Sequence, residues 1–333
     1  MDKIALIGVG YWGRNHLKSL NKLREEGLID KIVACDSNKL ALNIVKKHSD
    51  MEIEYNWKKL LEDDDLNMAS IVSPSPLHYE MSKEFMLAGK DVLVEKPMAL
   101  NSDECDDLLD IQKKTGSGLM VGHIFRFHPA VIELREMIRK GNFGEILYFT
   151  IRRTALRPPR KDMGVMLALG IHEVDLTCFL LGDKTPDSIF ADLNYLFGNK
   201  EEMAFILQKF GKTSAYSFES WVDPTKGKLR ELCLVGSLGS AVINFLIPDE
   251  IKLVNAFLNV KETESGREYE AVQGEETIAR LEYKEPLLEE IRHFVVQSQG
   301  NKQYNANGKI GKRAVVMIEK AIEANKKKSY VEM

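Results

Sequence analysis

The chain has 333 residues, beyond the size at which a single hydrophobic core usually stops growing, so two domains are expected. Apolar residues make up 44% and charged residues 29%, which excludes a disordered, collagen-like or coiled-coil chain. The 46 basic and 50 acidic residues are spread along the length and leave a net charge of −4, so no cationic face for nucleic acid is expected.

The apolar run 3–9 ends in glycines, and Leu17, Leu20 and Leu23 then recur at helical spacing within 12–23, which predicts a strand followed by a helix. Further strands are predicted at 31–36, 68–72 and 91–95, with helices at 38–48 and 81–88 between them. Strands separated by helices imply a parallel, doubly wound Rossmann-type sheet. No apolar run approaches the roughly 20 residues needed to cross a bilayer, so no membrane partner is expected. Met1 leads directly into a strand with no leader pattern, which suggests a cytoplasmic protein. Cys35, Cys105, Cys178 and Cys233 are scattered without metal-ligand spacing, so reduced thiols and no metal are expected.

Gly8-Val9-Gly10-Tyr11-Trp12-Gly13 fits the G-x-G-x-x-G dinucleotide turn, with a strand before it and a helix after it. Gly8 permits the tight turn, Gly10 the approach of a pyrophosphate and Gly13 close helix packing, while the helix N-terminus supplies amides for the anion. Asp36 ends the second strand roughly 20 residues past the last glycine, the usual offset for a ribose-binding carboxylate. A carboxylate there repels a 2′-phosphate, so the expected cofactor is NAD rather than NADP.

The loop Ser73-Pro74-Ser75-Pro76-Leu77-His78 and the segment Glu95-Lys96-Pro97 each follow a strand, where an open α/β sheet presents its ligand crevice. Lys96 is thereby placed to stabilise a developing alkoxide, although a lysine after a strand is by itself more often a solvated surface residue. Residues 167–181 read as an amphipathic helix with His172 and Asp175 three apart on one face. Arg152, Arg153, Arg157, Arg160 and Lys161 form a basic stretch around Pro158-Pro159, which would suit a substrate phosphate or carboxylate. Strand-like runs at 147–152, 187–196, 203–210, 214–222, 229–235 and 240–245 predict an antiparallel sheet, and 311–325 a closing helix.

Several motifs in order resemble the Gfo/Idh/MocA oxidoreductases over essentially the whole chain. They are Gly8 to Gly13, Ser73-Pro74 with His78, Glu95-Lys96-Pro97, Gly122-His123 with Arg126-Phe127, and Gly170-Ile171-His172-Glu173-Val174-Asp175. Trp221, the turn Gly236 to Gly239, and Glu285-Pro286-Leu287 before Glu290-Ile291 follow. The resemblance implies an α/β architecture: an N-terminal Rossmann domain (1–121), then a C-terminal α/β domain (122–333) with a large, mostly antiparallel open sheet. One face of that sheet is used for a homodimer or homotetramer, and the helix 311–325 is a candidate to pack back on the first domain.

It further implies that Lys96 and His172 flank the nicotinamide, His172 as general base and Asp175 beside it. Gly8, Gly10, Tyr11, Trp12, Gly13, Asp36, Ser73, Pro74, His78, Glu95 and Lys96 would line NAD, and Arg126, Arg153, Arg157 and His172 the substrate. Many relatives carry an aspartate four residues before this histidine, where the chain has Ala168; Asp175, Asp162 or the substrate would take over its work.

The run Gly122 to Ala130 looks closest to enzymes oxidising C3 of UDP-N-acetylglucosamine or its uronic acid. A nucleotide-sugar or other sugar is therefore the expected substrate, with inositol, another polyol or a sugar phosphate as alternatives. Ala168 also leaves open a non-catalytic NAD-binding sensor. Relatives that reduce carbon–nitrogen bonds, such as biliverdin or dihydrodipicolinate reductases, are disfavoured by the sugar-type G-x-H-x-x-D segment.

Overall fold

A computed structural model describes residues 2–47, 51–160 and 162–333. His48, in the second predicted helix, and Lys161, in the basic stretch, lie outside the described residues. The chain forms two compact units, one of Met1–Phe127 with Lys284–Val316 and the other of His128–Tyr283 with Met317–Met333.

In the first unit β1 (Lys3–Ile7) is buried along its whole length, as a two-sided parallel strand requires. It is followed by α1 (Tyr11–Glu25), β2 (Lys31–Cys35), α2 (Lys39–Lys47), β3 (Glu52–Glu54), β4 (Leu66–Ile71), α3 (His78–Leu87), β5 (Asp91–Glu95), α4 (Ser102–Thr115) and β6 (Leu119–Gly122). The six strands form a sheet ordered β3-β2-β1-β4-β5-β6, and every pair is parallel. Strand order reverses between β1 and β4, the switch point at which open α/β sheets bind ligands. Ile7 pairs with Cys35 and Ile71, Ile71 with Val94, and Glu95 with Gly122. This register brings the turn after β1, Asp36, Ser73 and Lys96 to one edge of the sheet.

The sequence pattern does not mark β3, whose three residues offer one half-buried apolar side chain at the sheet edge. Nor does it mark α4, although Asn101 caps it by accepting from the Glu104 amide at 2.9 Å.

The second unit begins with α5 (Pro129–Arg139), β7 (Ile146–Thr154) and α6 (Ile171–Leu180). There follow β8 (Ser188–Asn194), β9 (Met203–Phe210), β10 (Thr213–Ser220), β11 (Leu229–Gly236), β12 (Gly239–Asn244), β13 (Glu250–Val254), β14 (Phe257–Thr263), β15 (Gly266–Val272) and β16 (Glu276–Arg280). Beyond them lie α7 (Pro286–Gln299), α8 (Gly308–Lys327) and the short β17 (Val331–Glu332). The large sheet has nine strands in the order β16-β13-β12-β11-β7-β10-β9-β8-β17, and only β7 with β10 runs parallel. Burial alternates along β8 and β9, with one face turned to the core and the other outward. Tyr148, Phe205 and Tyr216 are exposed, and Phe205 stacks on Phe218 with ring centres 4.5 Å apart.

Three expectations need correction. Residues 167–181 are not one amphipathic helix: Met166–Gly170 is a π-helical turn, and α6 is buried on nearly every side. The strands β13 to β16 were not foreseen, because β14, β15 and β16 carry mostly exposed, charged side chains with no apolar alternation. The division at 121/122 differs from the units observed, because 284–316 belongs to the first. There Leu287, Leu288, Ile291, Phe294 and Val295 of α7 share one core with Ile4, Leu20, Leu23 and Leu93.

Candidate active site

Gly8 has φ +98°, and a Cβ there would lie 2.7 Å from the Val72 carbonyl oxygen. A Cβ on Gly13 would stand 1.9 Å from the Gly8 carbonyl oxygen, so α1 can approach β1 this closely only without a side chain. Around Gly10 nothing lies within 4 Å of a Cβ position, and Gly10 opens α1 with no side-chain cap. That leaves first-turn amides for an anion at the positive end of the helix dipole.

Asp36 completes this cradle. Its Oδ2 accepts from the Val9 amide at 2.8 Å and its Oδ1 from the Asn38 amide at 2.8 Å, which fixes the carboxylate with lone pairs to spare for ribose hydroxyls. One residue earlier, burial, with Glu54 and Asp36 adding to it, pushes the Cys35 thiol up to about 12, so it stays protonated beside the cradle. Ser73 Oγ, at the same edge, is buried without a hydrogen-bond partner. An open approach at Gly10, an uncapped helix, an anchored carboxylate and an unused hydroxyl together fit a dinucleotide.

Two residues expected to touch the cofactor, His78 and Glu95, engage the loops around it. His78 is 1% exposed, and its ring nitrogens lie 2.7 Å from the Pro97 carbonyl oxygen and 2.8 Å from that of Ser73. The ring thus sits between the loop after β4 and the loop after β5, and as a neutral imidazole it donates to one of the two carbonyls. Burial holds its pKa below the ordinary histidine value, although the two carbonyls and Glu95 pull the other way.

Glu95 Oε1 accepts from Trp12 Nε1 at 2.7 Å and from His16 Nε2 at 3.0 Å, and Glu95 Oε2 accepts from the Lys96 amide at 3.3 Å. Ser70 Oγ lies 3.1 Å from His16 Nδ1. Burial works to raise the Glu95 carboxyl, but His16, Trp12 and Lys96 outweigh it and hold it below the usual value. Lys96 itself is half-buried, next to the cis Lys96–Pro97 peptide. Tyr11 is exposed on the first turn of α1, and Pro74 is exposed on the loop after β4.

His172 lies in the second unit, half-buried in the first turn of α6, and Asp175 is buried one turn on. The π-turn before α6 is held by Glu201, whose Oε1 accepts from the Met166 amide at 3.1 Å and whose carbonyl accepts from the Val165 amide at 2.9 Å. Such single π-turns are concentrated at functional sites. Asp162, a candidate to replace the missing aspartate, accepts from Arg160 Nε at 2.9 Å.

Arg126 and Arg153, expected on the substrate, are engaged elsewhere. Arg126 is 2% exposed and its Nη1 donates to the Asn305 carbonyl at 3.0 Å, within the first unit. Arg153 is 6% exposed and pairs with buried Glu173. Nearby, burial and then the Glu173 charge push the Glu219 carboxyl well above its usual value. Of the three, only Arg157 is exposed, its guanidinium 5.6 Å above the Trp221 ring. Lys228 stands in a positive field from Arg230, Arg153 and Arg157.

The sequence pattern singles out neither His16, Glu201 nor Lys228; of these His16, one turn past Gly13 on the buried side of α1, carries a signal. Among the described residues no group of three or more His, Cys, Asp or Glu side chains could hold a metal ion.

A glycine turn on an uncapped helix, with an anchored carboxylate one strand away, defines a dinucleotide-binding protein. The chain belongs to the Gfo/Idh/MocA oxidoreductase family: residues 3–123 match its NAD-binding Rossmann fold and residues 135–333 its C-terminal alpha/beta domain. It is an NAD-dependent oxidoreductase.

UDP-N-acetylglucosamine 3-dehydrogenase of Acidithiobacillus ferrooxidans is 28% identical over 191 residues, a match spanning 56% of each chain. The solved structure of that enzyme, GnnA, has a TM-score of 0.79 at 23% identity, over 97% of both chains. Myo-inositol 2-dehydrogenase of Thermotoga maritima is 23% identical over 345 residues, covering 99% of this chain and 98% of that one. Levoglucosan dehydrogenase, solved with NADH and levoglucosan, has a TM-score of 0.83 at 19% identity over 100% of this chain and 99% of its own. At these identities the solved structures establish the fold.

Proposed function

We propose that the protein is a dehydrogenase that moves a hydride between NAD and a hydroxyl-bearing carbon of a sugar or nucleotide-sugar, of the kind oxidised at C3 of UDP-N-acetylglucosamine. The observation that carries this reading is Lys96 at the carboxyl end of β5, on the sheet edge that also holds the glycine turn, Asp36 and Ser73. NAD supplies the hydride acceptor. The Lys96 ammonium would stabilise the alkoxide that develops as the hydride leaves, and His172 would take the hydroxyl proton, with Asp175 beside it on the helix. In reduction the same groups return the proton.

Arg157 supports an anionic substrate, because an exposed guanidinium can bind a phosphate or carboxylate through two parallel hydrogen bonds. A neutral polyol is the second reading, favoured by the full-length match to an inositol dehydrogenase. Ala168 favours a third, a sensor that binds NAD without turnover.

The test is to follow NADH formation with UDP-N-acetylglucosamine, glucose 6-phosphate and myo-inositol, in wild type and Lys96→Met. The expected result is turnover of the nucleotide-sugar, lost by a factor of about 10³ in the variant while NAD affinity stays within about threefold. Turnover of inositol alone removes the anionic substrate, and tight NAD binding with no turnover of any of them leaves the sensor.

The outward sheet face with Tyr148, Phe205, Tyr216 and Phe218 supports a homodimer or homotetramer. Among the described residues no helix is long and apolar enough to cross a membrane, and none of the four cysteines is in a disulfide. These support a cytoplasmic location, which cell fractionation checks.

A further inference from the structure

Glu290 lies on α7, which packs on α1 and β5. Its side chain is wholly buried, 0% exposed, on a helix whose Leu287, Ile291 and Phe294 are also buried, and among the described residues neither carboxyl oxygen meets a hydrogen-bond donor. An ionised carboxylate with no donor and no counter-charge is among the costliest groups to bury, whereas the neutral acid is tolerated. Glu95 lies at the end of β5, on which α7 packs, and it already holds Trp12, His16 and the Lys96 amide. Its charge acts on Glu290, and two buried carboxyls under each other's influence cannot both ionise without repulsion, so one of them retains a proton.

We propose that Glu290 is a positioning residue that holds this proton: as a neutral acid it leaves Glu95 the ionised member of the pair, and so keeps Trp12 of the cofactor turn and the backbone of Lys96 tied to one carboxylate.

The charges around it agree. Burial first, then Glu95 on β5 and Glu285 at the start of α7, push the Glu290 carboxyl well above its usual value. On the other side, His16 on α1 and Lys96 favour the ionised form of Glu95. The turn 124–127, also packed on α7, contributes Arg126, which donates to the Asn305 carbonyl. A carboxyl raised by folding adds stability that is fully present below the unfolded carboxyl value and is lost as pH rises through its folded value. Ionisation of Glu290 would put a second negative charge under the turn and loosen the cofactor cradle.

The proposal rests on NAD binding and not on the substrate reading, so its test uses the full-length protein and reads NADH affinity, independent of turnover. NADH is titrated from neutral to alkaline pH into wild type, Glu290→Gln and Glu290→Ala, and thermal melting confirms that each folds. Glu290→Gln, a neutral isostere, is expected to bind NADH within about twofold of wild type at neutral pH and to melt no lower, whereas Glu290→Ala binds at least about fivefold more weakly.

Infrared difference spectra between wild type and Glu290→Gln should show the carbonyl stretch of a neutral carboxylic acid that the variant lacks. Any alkaline loss of affinity in wild type, at most about tenfold per pH unit for one proton, should be absent from Glu290→Gln. No neutral-acid band in wild type, or a Glu290→Gln variant that binds as weakly as Glu290→Ala, overturns the proposal.

Discussion

Gly10 and Gly13 share one turn but answer to different constraints. A methyl at Gly13 meets the Gly8 backbone at 1.9 Å, which the fold can relieve only by moving α1 off β1. Gly13→Ala is therefore expected to cost about 3 kcal/mol or more and to lower the melting temperature. A methyl at Gly10 meets nothing, so Gly10→Ala should melt like wild type while raising the NAD dissociation constant about tenfold, because it occupies the approach of the pyrophosphate. Calorimetry with a binding titration separates the two; a Gly10→Ala variant with unchanged affinity would remove this glycine from the cradle. These glycines and Asp36 were legible in the sequence because their constraints act between residues close along the chain or at a fixed offset. His78 was legible as a residue of interest but not in its role, since one of its two carbonyl partners, Pro97, belongs to another loop. Glu290 was recognisable only as part of a motif, because its chemistry depends on Glu95, far away along the chain.

At the scale of elements, α6 shows how burial can defeat periodicity. A helix buried on nearly all sides has no polar stripe to reveal its direction, and the buried charges within it were invisible until their partners were placed. Glu173 on α6 and Arg153 on β7 form such a pair. Arg153→Met would leave Glu173 beside Glu219 with no cation, and a loss of about 3–5 kcal/mol is expected in urea unfolding. A variant of unchanged stability that instead weakens substrate binding would return Arg153 to the substrate. The strands β8, β9 and β12 were readable because each turns alternate residues to the core. Those of β14 and β15 were not, because a hairpin exposed on both sides needs no such alternation.

For the whole molecule, order along the chain and membership of a compact unit diverge. The segment 284–316 returns to the first unit because α7 carries the apolar side chains that complete its core, and no local signal specifies which core a helix will join. The nine-stranded sheet poses the complementary problem, a face whose large aromatic side chains are left to solvent. If that face joins copies of the chain, Phe205→Glu should shift the protein to a monomer in light scattering while leaving its melting temperature within a few degrees, since the side chain is nearly half exposed. A wild-type monomer, or a variant of unchanged mass, would exclude this face as the contact.

The bond from Trp12 to Glu95 bears on any attempt to re-engineer the enzyme for a phosphorylated cofactor. Rewriting 11–13 would slacken the tether beside Lys96, and the turnover proposed for that lysine would suffer along with cofactor choice. Asp36 offers a cleaner handle, because its bonds run to Val9 and Asn38 and touch neither end of that tether.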